Sequence, residues 1–562
     1  MSDIATFYSG GHILGESGRI LGEYADLAEP RLDYCSKYDQ GLRERGTSVY
    51  VGSNAVAIGD GCFDGMAALT VMIIASTVRR IGGAAFRGCV RLKELDLPCI
   101  VEIEPHTFYN CHGLERVHIP SSVRLIGEQA FRDCTTLAAI VLPEFVLDLG
   151  VAAFRGCRAL RRMALPRQVT AVEAFTFYAC RALAVVLLPD HLHTINACAF
   201  AFCTTLTELM LPDTLQTIGD NAFRGCHALM SINIPAGVTT VGEFAFRGCH
   251  SLASVSFPAA ALLSYLPNGA FQGCTALVSI CLPSSVHKIG GGAFSGCALL
   301  TAFSGPGLVR VGMSAFAFCC SLVSVSAASV EQVGHRAFAQ CSAMVEYDVP
   351  PGLCHIEDSV FEGCASLVRI NMHPNVARFG RRAFGNCAKL LHIQLPTGLQ
   401  WVHVNAFDGC GSLSTVTIEA RKDSQATQLL KGCSAFKNVP VRILLLESAA
   451  VDMVHFPQVD QIWATDAAIA QLGGRYSSFS TFQEVPAALR ATNATSWAGA
   501  MLYMWWQPPS SFTPLYFATS QLHRRRLPAA QKHLIRAVAL AASRSATAPH
   551  MPSEIWNYIF SF

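Results

Sequence analysis

The sequence predicts an α/β repeat solenoid of about 16–17 rungs, with one parallel sheet running along the stack. A phenylalanine recurs at steps of 22 or 23 residues, with one step of 25, between Phe63 and Phe407. The motif Ala-Phe-x-x-Cys surrounds most of these phenylalanines, and an alternation of apolar and polar residues that ends in proline follows them. A repeat of this period indicates stacked units, because one such unit cannot bury its own apolar edge.

Each position of the repeat has a structural interpretation. An apolar residue lies five positions before every Phe, and Gly lies four positions before it in ten units, which predicts a short extended piece followed by a turn. Phe, Cys three positions later and Leu six positions later share one inward edge, which predicts a single tight helical turn. The Leu-x-Leu-Pro that follows predicts a strand with one buried face that Pro terminates. The sixteen repeat phenylalanines are Phe63, Phe86, Phe108, Phe131, Phe154, Phe177, Phe200, Phe223, Phe246, Phe271, Phe294, Phe316, Phe338, Phe361, Phe384 and Phe407.

This pattern resembles the BspA-like type of leucine-rich repeat, whose units read Leu, Ile and Leu-Pro followed by Ile-Gly-x-x-Ala-Phe-x-x-Cys. The resemblance covers residues 52–420, with sixteen units in phase. It implies a right-handed leucine-rich-repeat array with its parallel sheet on the concave face. Such arrays present extended surfaces to their partners.

The recurring cysteine permits several interpretations. The chain contains 23 cysteines, and sixteen of them occupy the repeat position between Cys89 and Cys433. A disulfide framework is disfavoured, because equivalent side chains on adjacent parallel rungs point the same way and give poor disulfide geometry. A metal ladder is disfavoured because the sequence has no C-x-x-C pair. The favoured interpretation is a small, reduced and buried residue that fits where Val would crowd the turn.

No catalytic motif stands out in the sequence. It contains no dinucleotide-binding, P-loop, zinc-protease or nucleophile-elbow motif, so we predict a non-enzymatic protein with no cofactor and no metal. A net charge of +2 and 15% charged residues give no electrostatic reason to expect nucleic acid as a partner. No apolar run reaches membrane-spanning length and the first residues carry no secretory pattern, so we expect no membrane association and a cytoplasmic location.

Recognition is therefore expected on the surface, where the outward strand positions eight and ten residues after each Phe vary along the stack. A charged section is followed by an apolar step, then by a Ser/Asn section, and then by charges again. A non-uniform concave face suits an extended protein partner, and a solvated face without a partner is the alternative. The predicted partner-binding residues on this face are Arg162, Val185, Leu187, Glu208, Met210, Glu346, Asp348 and Arg369. A second stripe, on the turn edge directly after the Phe, consists of Arg87, Arg132, Arg155, Arg224 and Arg247.

Three domains are predicted along the chain. Residues 1–51 lack the repeat and mix charged and apolar residues at helical spacing, which predicts a helical cap on the first rung. The solenoid spans residues 52–438 and includes a decayed seventeenth unit with Leu430 in the Phe position. Residues 439–562 are predicted to be mostly helical after a strand at 441–448, which we interpret as the last rung.

The end of the chain has a resemblance of its own. Its last residues read Met-Pro-Ser-Glu-Ile-Trp-Asn-Tyr-Ile-Phe-Ser-Phe (551–562) and resemble the first helix of an F-box. The wider region 460–562 is similar to the one found behind such repeats in marine algal and other protist proteins. In F-box proteins this helix docks on the Skp adaptor of a ubiquitin ligase. The resemblance implies that an adaptor would contact Pro552, Ile555, Trp556, Ile559 and Phe560.

The sequence thus favours a non-enzymatic scaffold that binds a protein partner through its solenoid. The alternative is a substrate-recognition subunit of a ubiquitin ligase, with the repeats as reader and the terminal helix as adaptor-binding element. Because the resemblance covers only the first helix of an F-box, we favour the interpretation that this helix packs on its own domain, with Trp556 and Phe560 as core residues.

Overall fold

The computed structural model describes residues 4–7, 12–14, 20–23, 48–52, 55–418, 435–436, 439–440, 443–446 and 461–464. The chain divides into two compact units, Met1–Leu390 with Asn405–Gly411, and Leu391–Val404 with Ser412–Phe562. All sixteen repeat phenylalanines belong to the first unit. Its rungs form a parallel-sheet solenoid of stacked turns, which confirms the predicted fold.

One side of the first unit is built from long strands, which the Leu-x-Leu segments supply. Paired long strands are parallel and in register, so that Arg162 lies opposite Val185 and Ala164 lies opposite Leu187. The middle residue of each strand points inward, as the period-two alternation predicts, and Val186 is buried. The long strands are Val71–Ile74, Glu94–Asp96, Arg116–His118, Arg162–Ala164, Val185–Leu187, Ser231–Asn233, Ser254–Ser256, Ser279–Cys281, Ala302–Ser304, Ser324–Ser326, Glu346–Asp348 and Arg369–Asn371.

A second side carries two-residue strands that end on the apolar residue five positions before the Phe. The Gly that follows permits close approach of the preceding rung, because a Cβ on Gly242 would clash with the backbone nitrogen of Asp220. These short strands are Ala57–Ile58, Arg80–Ile81, Glu102–Ile103, Leu125–Ile126, Asp148–Leu149, Ala171–Val172, Thr194–Ile195, Thr217–Ile218, Thr240–Val241, Tyr265–Leu266, Lys288–Ile289, Arg310–Val311, Gln332–Val333, His355–Ile356 and Arg378–Phe379.

The third side, the turn face, consists of the turns around each Phe. The Phe86 N–H donates to the Thr107 carbonyl of the next rung at 2.9 Å, and the Gly88 N–H donates to the Tyr109 carbonyl at 2.7 Å. The prediction of a helical turn is wrong here. Isolated turn bonds are present, such as that from the Cys89 N–H to the Phe86 carbonyl at 3.1 Å. The backbone is left-handed at Ala84 and Gly88, with φ of 54° and 73°, so these turns do not join into a helix, and the Ala84 and Gly88 N–H groups bond to the next rung. Over its described ranges, the chain forms strands and turns but no helix.

Identical side chains stack in ladders to form the core. The Phe223 ring is fully buried between Phe200 and Phe246. Its ring centroid lies 5.5 Å and 5.2 Å from theirs, with interplanar angles of 1° and 9°. Nearly parallel rings at this separation are offset-stacked, which is a favourable aromatic arrangement. The ladder therefore couples each rung to both of its neighbours.

The described N-terminal residues form strands rather than the predicted helical cap. Ile4–Phe7 pairs antiparallel with His12–Leu14, which pairs antiparallel with Ile20–Glu23. Ser48–Val51 lies parallel between Ile4–Phe7 and Val71–Ile74. The helix prediction is wrong for these residues because the first long strand has an unpaired edge, and added strands satisfy its backbone groups directly.

The described part of the second unit is also a parallel sheet. The sheet order is His392–Leu395, Thr415–Ile418, Ile443–Leu446 and Gln461–Ala464. The two-residue strand Trp401–Val402 also belongs to this unit but not to this sheet. The strand predicted at 441–448 is confirmed by Ile443–Leu446, which pairs with Thr415–Ile418. The mostly helical structure predicted after this strand is wrong over Gln461–Ala464, because this segment pairs along the open edge of Ile443–Leu446.

Candidate functional site

The repeat cysteine has a hydrogen-bond partner that the sequence does not reveal. The Cys226 thiol donates to the carbonyl of Phe200 in the preceding rung, with an Sγ–O distance of 3.2 Å. The same bond recurs in fifteen consecutive rungs, from Cys89 to Cys410. The Phe200 carbonyl also accepts the Cys203 N–H at 3.1 Å. The thiol therefore satisfies a second lone pair of a buried carbonyl, which Val could not do.

These thiols are unsuited to catalysis. Burial raises the pKa of Cys111, Cys180 and Cys249 to about 12, which keeps them protonated at neutral pH. The cysteines of the described residues are all free of disulfides. Within the same residues, no three His, Cys, Asp or Glu side chains gather where they could hold a metal ion. The cysteine ladder is a structural element.

The strand face, formed by positions eight and ten after each Phe on the long-strand side, is the candidate recognition surface. Leu187 and Met210 are 62% and 86% exposed, whereas the intervening Val186 and Leu209 are buried. The predicted outward orientation of these side chains is therefore confirmed. Large apolar side chains exposed to this extent are informative when they are contiguous.

Four adjacent rungs place apolar residues at position ten, a set that we name the apolar strip: Val141, Ala164, Leu187 and Met210. Ala164 and Leu187 lie opposite each other on paired strands, and Val141, which is 83% exposed, occupies the same position one rung before Ala164. Val185, 46% exposed at position eight, widens the strip. At about 4.8 Å per rung, the strip extends over about 15 Å.

Unpaired charges lie on both sides of Val185. Arg162 precedes it and Glu208 follows it at position eight, and neither forms an ion pair with any other described residue. The charged section nearer the N-terminus is different, because Arg116 pairs with Glu94 at 3.0 Å. The apolar strip is therefore flanked by one positive and one negative side chain, Arg162 and Glu208, that have no ion-pair partner among the described residues.

The other predicted partner-binding residues lie six and seven rungs beyond Met210 and contact one another. The Arg369 guanidinium donates to the Glu346 carboxylate at 2.6 Å, and the Asn371 amide donates to the Asp348 carboxylate. The structure does not bring this cluster together with the strip. Its charges are already partnered within the stack, so its members offer less free charge than Arg162 and Glu208.

The sequence prediction missed Val141 and Ala164 as members of the binding surface. The residue ten positions after the Phe is apolar in four consecutive rungs, beginning with the rung of Phe131. A comparison of this position in every rung would have identified both residues. The exposure of Val141 is the property that distinguishes it from a core residue, and its sequence context alone does not give that exposure.

Some predicted features lie outside the described residues. These are the adaptor-binding residues Pro552, Ile555, Trp556, Ile559 and Phe560, together with Leu430 and Cys433 of the decayed unit. A search of the described part of the chain finds no helix of the length and apolarity that crossing a membrane requires.

Comparison with known families gives one match. The sequence model of the BspA type leucine rich repeat region matches residues 56–184, 101–228, 193–323 and 309–437, which overlap to span 56–437. A comparison with curated proteins finds no match to the chain.

Several solved structures are similar to the chain. A leucine-rich repeat protein from Bacteroides ovatus is 29% identical over 54% of this chain and 82% of its own, with a TM-score of 0.41. A leucine rich cell surface protein from Faecalibacterium prausnitzii is 24% identical over 66% of this chain and 84% of its own, with a TM-score of 0.35. A leucine rich repeat protein from T. pallidum is 31% identical over 37% of this chain and 77% of its own, with a TM-score of 0.23.

Proposed function

The chain belongs to the family of BspA-type leucine-rich repeat proteins, and from this premise we propose that it is a non-enzymatic scaffold that binds a protein partner on its strand face. Leucine-rich repeat proteins are generally interaction modules, because a stack of rungs offers a long surface whose side chains vary without disturbing the core. The partner lies across the apolar strip.

The observation that carries this proposal is the contiguity of Val141, Ala164, Leu187 and Met210 on four successive rungs. A surface that only faces water has no reason to place apolar side chains, three of them large, at one position of four successive rungs. An apolar centre with charged groups at its margin is the usual composition of a protein interface. A few side chains buried at the centre of such an interface supply most of its binding energy.

The charges beside the strip indicate what the partner presents to it. Arg162 and Glu208 lie two rungs apart at position eight, or about 10 Å at the spacing of parallel strands. A complementary partner places apolar side chains on the strip, an acidic group near Arg162 and a basic group near Glu208. This arrangement specifies the direction in which the partner lies along the stack.

The test is the double variant Leu187→Asp with Met210→Asp, examined by quantitative pulldown of the tagged full chain. We expect capture of the partner to weaken at least tenfold, which corresponds to a loss of about 1.4 kcal/mol. The thermal midpoint should shift by less than about 2 °C, because both side chains are exposed and the core lies on the other side of the strand.

A matched control is Asn233→Asp with Ser256→Asp, which adds the same two charges at position ten on another pair of adjacent rungs. We expect this variant to capture the partner normally. Equal losses in the two variants would mean that added charge alone reduces capture. Undiminished capture by Leu187→Asp with Met210→Asp would place the binding surface elsewhere.

The second candidate function, a substrate receptor for ubiquitin ligation, rests on the F-box-like sequence at 551–562. It predicts that a Skp-type adaptor is recovered with the full chain and is lost when residues 549–562 are deleted. The variant Trp556→Ala should reproduce that loss, because an aromatic side chain of such a helix would anchor the adaptor. Adaptor recovery that survives both changes would exclude this function for the terminal helix.

A further inference from the structure

The arginine stripe found in the sequence lies on the turn face, away from the strand face, and the protein-binding proposal leaves it unused. Part of the stripe joins aromatic side chains of the same face in four consecutive rungs. We name this set the arginine–aromatic cluster: Arg155, Phe175, Tyr178, Phe202 and Arg224. It occupies the positions from two before to two after the repeat phenylalanine.

The two guanidinium groups of the cluster converge on its rings from opposite ends. The Arg155 guanidinium lies 4.8 Å from the Tyr178 ring centroid and 5.5 Å from that of Phe175, both in the next rung. The Arg224 guanidinium lies 5.6 Å from the centroid of Phe202, in the preceding rung. Tyr178 and Phe202 meet edge-on with centroids 5.5 Å apart, so the cluster is continuous.

Neither guanidinium has a carboxylate partner among the described residues. Carboxylates of the same rungs are engaged elsewhere: Glu173 accepts the Asn196 amide at 3.2 Å, and Asp220 accepts the Glu243 N–H at 2.7 Å. Arg132, an earlier member of the stripe, pairs with Asp133 at 3.3 Å. The cluster therefore presents positive charge that its surroundings leave uncompensated.

Two aromatic residues of the cluster hold a backbone conformation that suits them poorly. Phe175 and Phe202 have φ of 59° and 63°, in the left-handed region. Other rungs place Gly at the position of Phe202, as Gly225 and Gly248 do. The left-handed conformation itself belongs to the repeat, because Ala152, Cys198 and Asn221 adopt it at the position of Phe175 in neighbouring rungs. The cluster differs from those rungs in placing aromatic rings at these positions.

We propose that the arginine–aromatic cluster binds an acidic protein segment through a pair of carboxylate side chains. A guanidinium that stacks on a ring holds its planar N–H edge in a fixed orientation, which favours bidentate bonding to a carboxylate. Arg224 donates one N–H to the Asn221 side-chain oxygen at 3.5 Å, which leaves its other N–H groups for a carboxylate. The backbones of Arg155 and Arg224 are three rungs apart, about 15 Å. Each guanidinium lies over a ring of the rung nearer the other, so the two groups are closer together than their backbones. An extended segment with two acidic residues about three positions apart, which is about 10 Å, fits this shorter separation.

A single-stranded nucleic acid fits the cluster less well. Binding of nucleic acid without sequence preference requires open aromatic faces on which successive bases stack. Each of the three rings already has a guanidinium over it, at 4.8 to 5.6 Å from its centroid. The chain as a whole has a net charge of only +2, which gives little long-range attraction for a polyanion.

The test measures fluorescence anisotropy of a fluorescein-labelled twelve-residue Gly/Ser peptide that carries two Glu residues three positions apart. The reference is the same peptide with Gln in place of Glu. We expect the full-length chain to bind the Glu peptide at least tenfold more tightly than the Gln peptide. Arg155→Gln with Arg224→Gln should remove that preference, and Arg155→Lys with Arg224→Lys should weaken it, because Lys lacks the planar fork.

Two controls separate this site from other effects. Arg132→Gln should leave peptide binding within twofold, because Arg132 already has its carboxylate. Leu187→Asp with Met210→Asp should also leave peptide binding unchanged, because both residues lie on the strand face. The peptide assay and the partner pulldown therefore test the two surfaces separately. The double Lys variant retains the charge and an aliphatic stem over the rings. It therefore tests the site even if the double Gln variant does not fold.

Three results would overturn the proposal. One is equal binding of the Glu and Gln peptides to the wild-type chain. Another is full retention of the preference by folded Arg155→Gln with Arg224→Gln. The third is displacement of the Glu peptide by an equimolar twelve-nucleotide single-stranded RNA whose binding also requires Arg155 and Arg224. That result would assign the cluster to nucleic acid.

Discussion

Truncation of one ladder ring, Phe223→Ala, should destabilise the first unit by about 4 kcal/mol. Phe223 is fully buried and stacks on Phe200 and Phe246, so the substitution removes two ring contacts and leaves a cavity. Burial of a Phe side chain contributes about 1.5–3 kcal/mol, and the remaining loss comes from the cavity and the stacked contacts. Hydrogen bonds between rungs hold the backbone around the ring, which limits collapse into the space.

The measurement is a urea titration of the full chain followed by circular dichroism. The matched control is Phe318→Ala, which removes the same side chain from a position that is 51% exposed, and it should cost about 0.5 kcal/mol or less. If both variants lost the same stability, the stacked ladder would not be the core of the unit. A loss below about 1 kcal/mol for Phe223→Ala would contradict the cavity argument in the same way.

Further predictions concern thiols and turns. Alkylation of the native protein should label Cys99, Cys281, Cys320 and Cys354, which are exposed, and leave the ladder cysteines unlabelled until denaturation, as read by mass spectrometry. Extensive native labelling of the buried ladder cysteines themselves, the fifteen repeat cysteines from Cys89 to Cys410, would refute this assignment. Phe318→Gly should stabilise the protein by about 0.5–1 kcal/mol, because Phe318 has φ of 63° where Gly is favoured; a lower urea midpoint would contradict this.

The repeat made most of the fold predictable. Residues such as Ile81, Phe86 and Leu92 recur at fixed positions, and a recurring apolar residue in a unit this small has only the neighbouring rung to bury it. The alternation around Leu95 identified the inward and outward faces of the long strands, because side chains of a strand alternate strictly. The orientations of Leu187 and Met210 followed from the same rule.

Relations between rungs were less accessible to sequence reasoning. The bond from the Cys226 thiol to the Phe200 carbonyl joins residues 26 apart, and no periodic pattern states which backbone atom a buried side chain faces. The turns around Phe86 were predicted as helical because apolar spacing of three suggests a helix. The left-handed conformation at Gly88 decides otherwise, and it becomes evident only from backbone angles.

The candidate sites were also predictable only in part from the sequence. The apolar step at Val185 could be found from residue type and position. The unpaired state of Arg162 and Glu208 could not, because the sequence supplies comparable charges in Arg369 and Glu346, which pair with each other at 2.6 Å. The arginine–aromatic cluster was visible as a run of arginines, whereas its rings lie two positions before, one after and two after the repeat phenylalanine and meet only in the fold.

The most direct test of the strand-face proposal is site-specific photo-crosslinking. The full chain would carry p-benzoylphenylalanine at position 187, at position 210 or, as a control on the same face, at position 256 of the Ser/Asn section. We predict that one partner is crosslinked from positions 187 and 210 but not from position 256, and that excess wild-type chain suppresses the adducts. Crosslinks from position 256 alone, or equal crosslinks from all three positions, would contradict binding at the apolar strip.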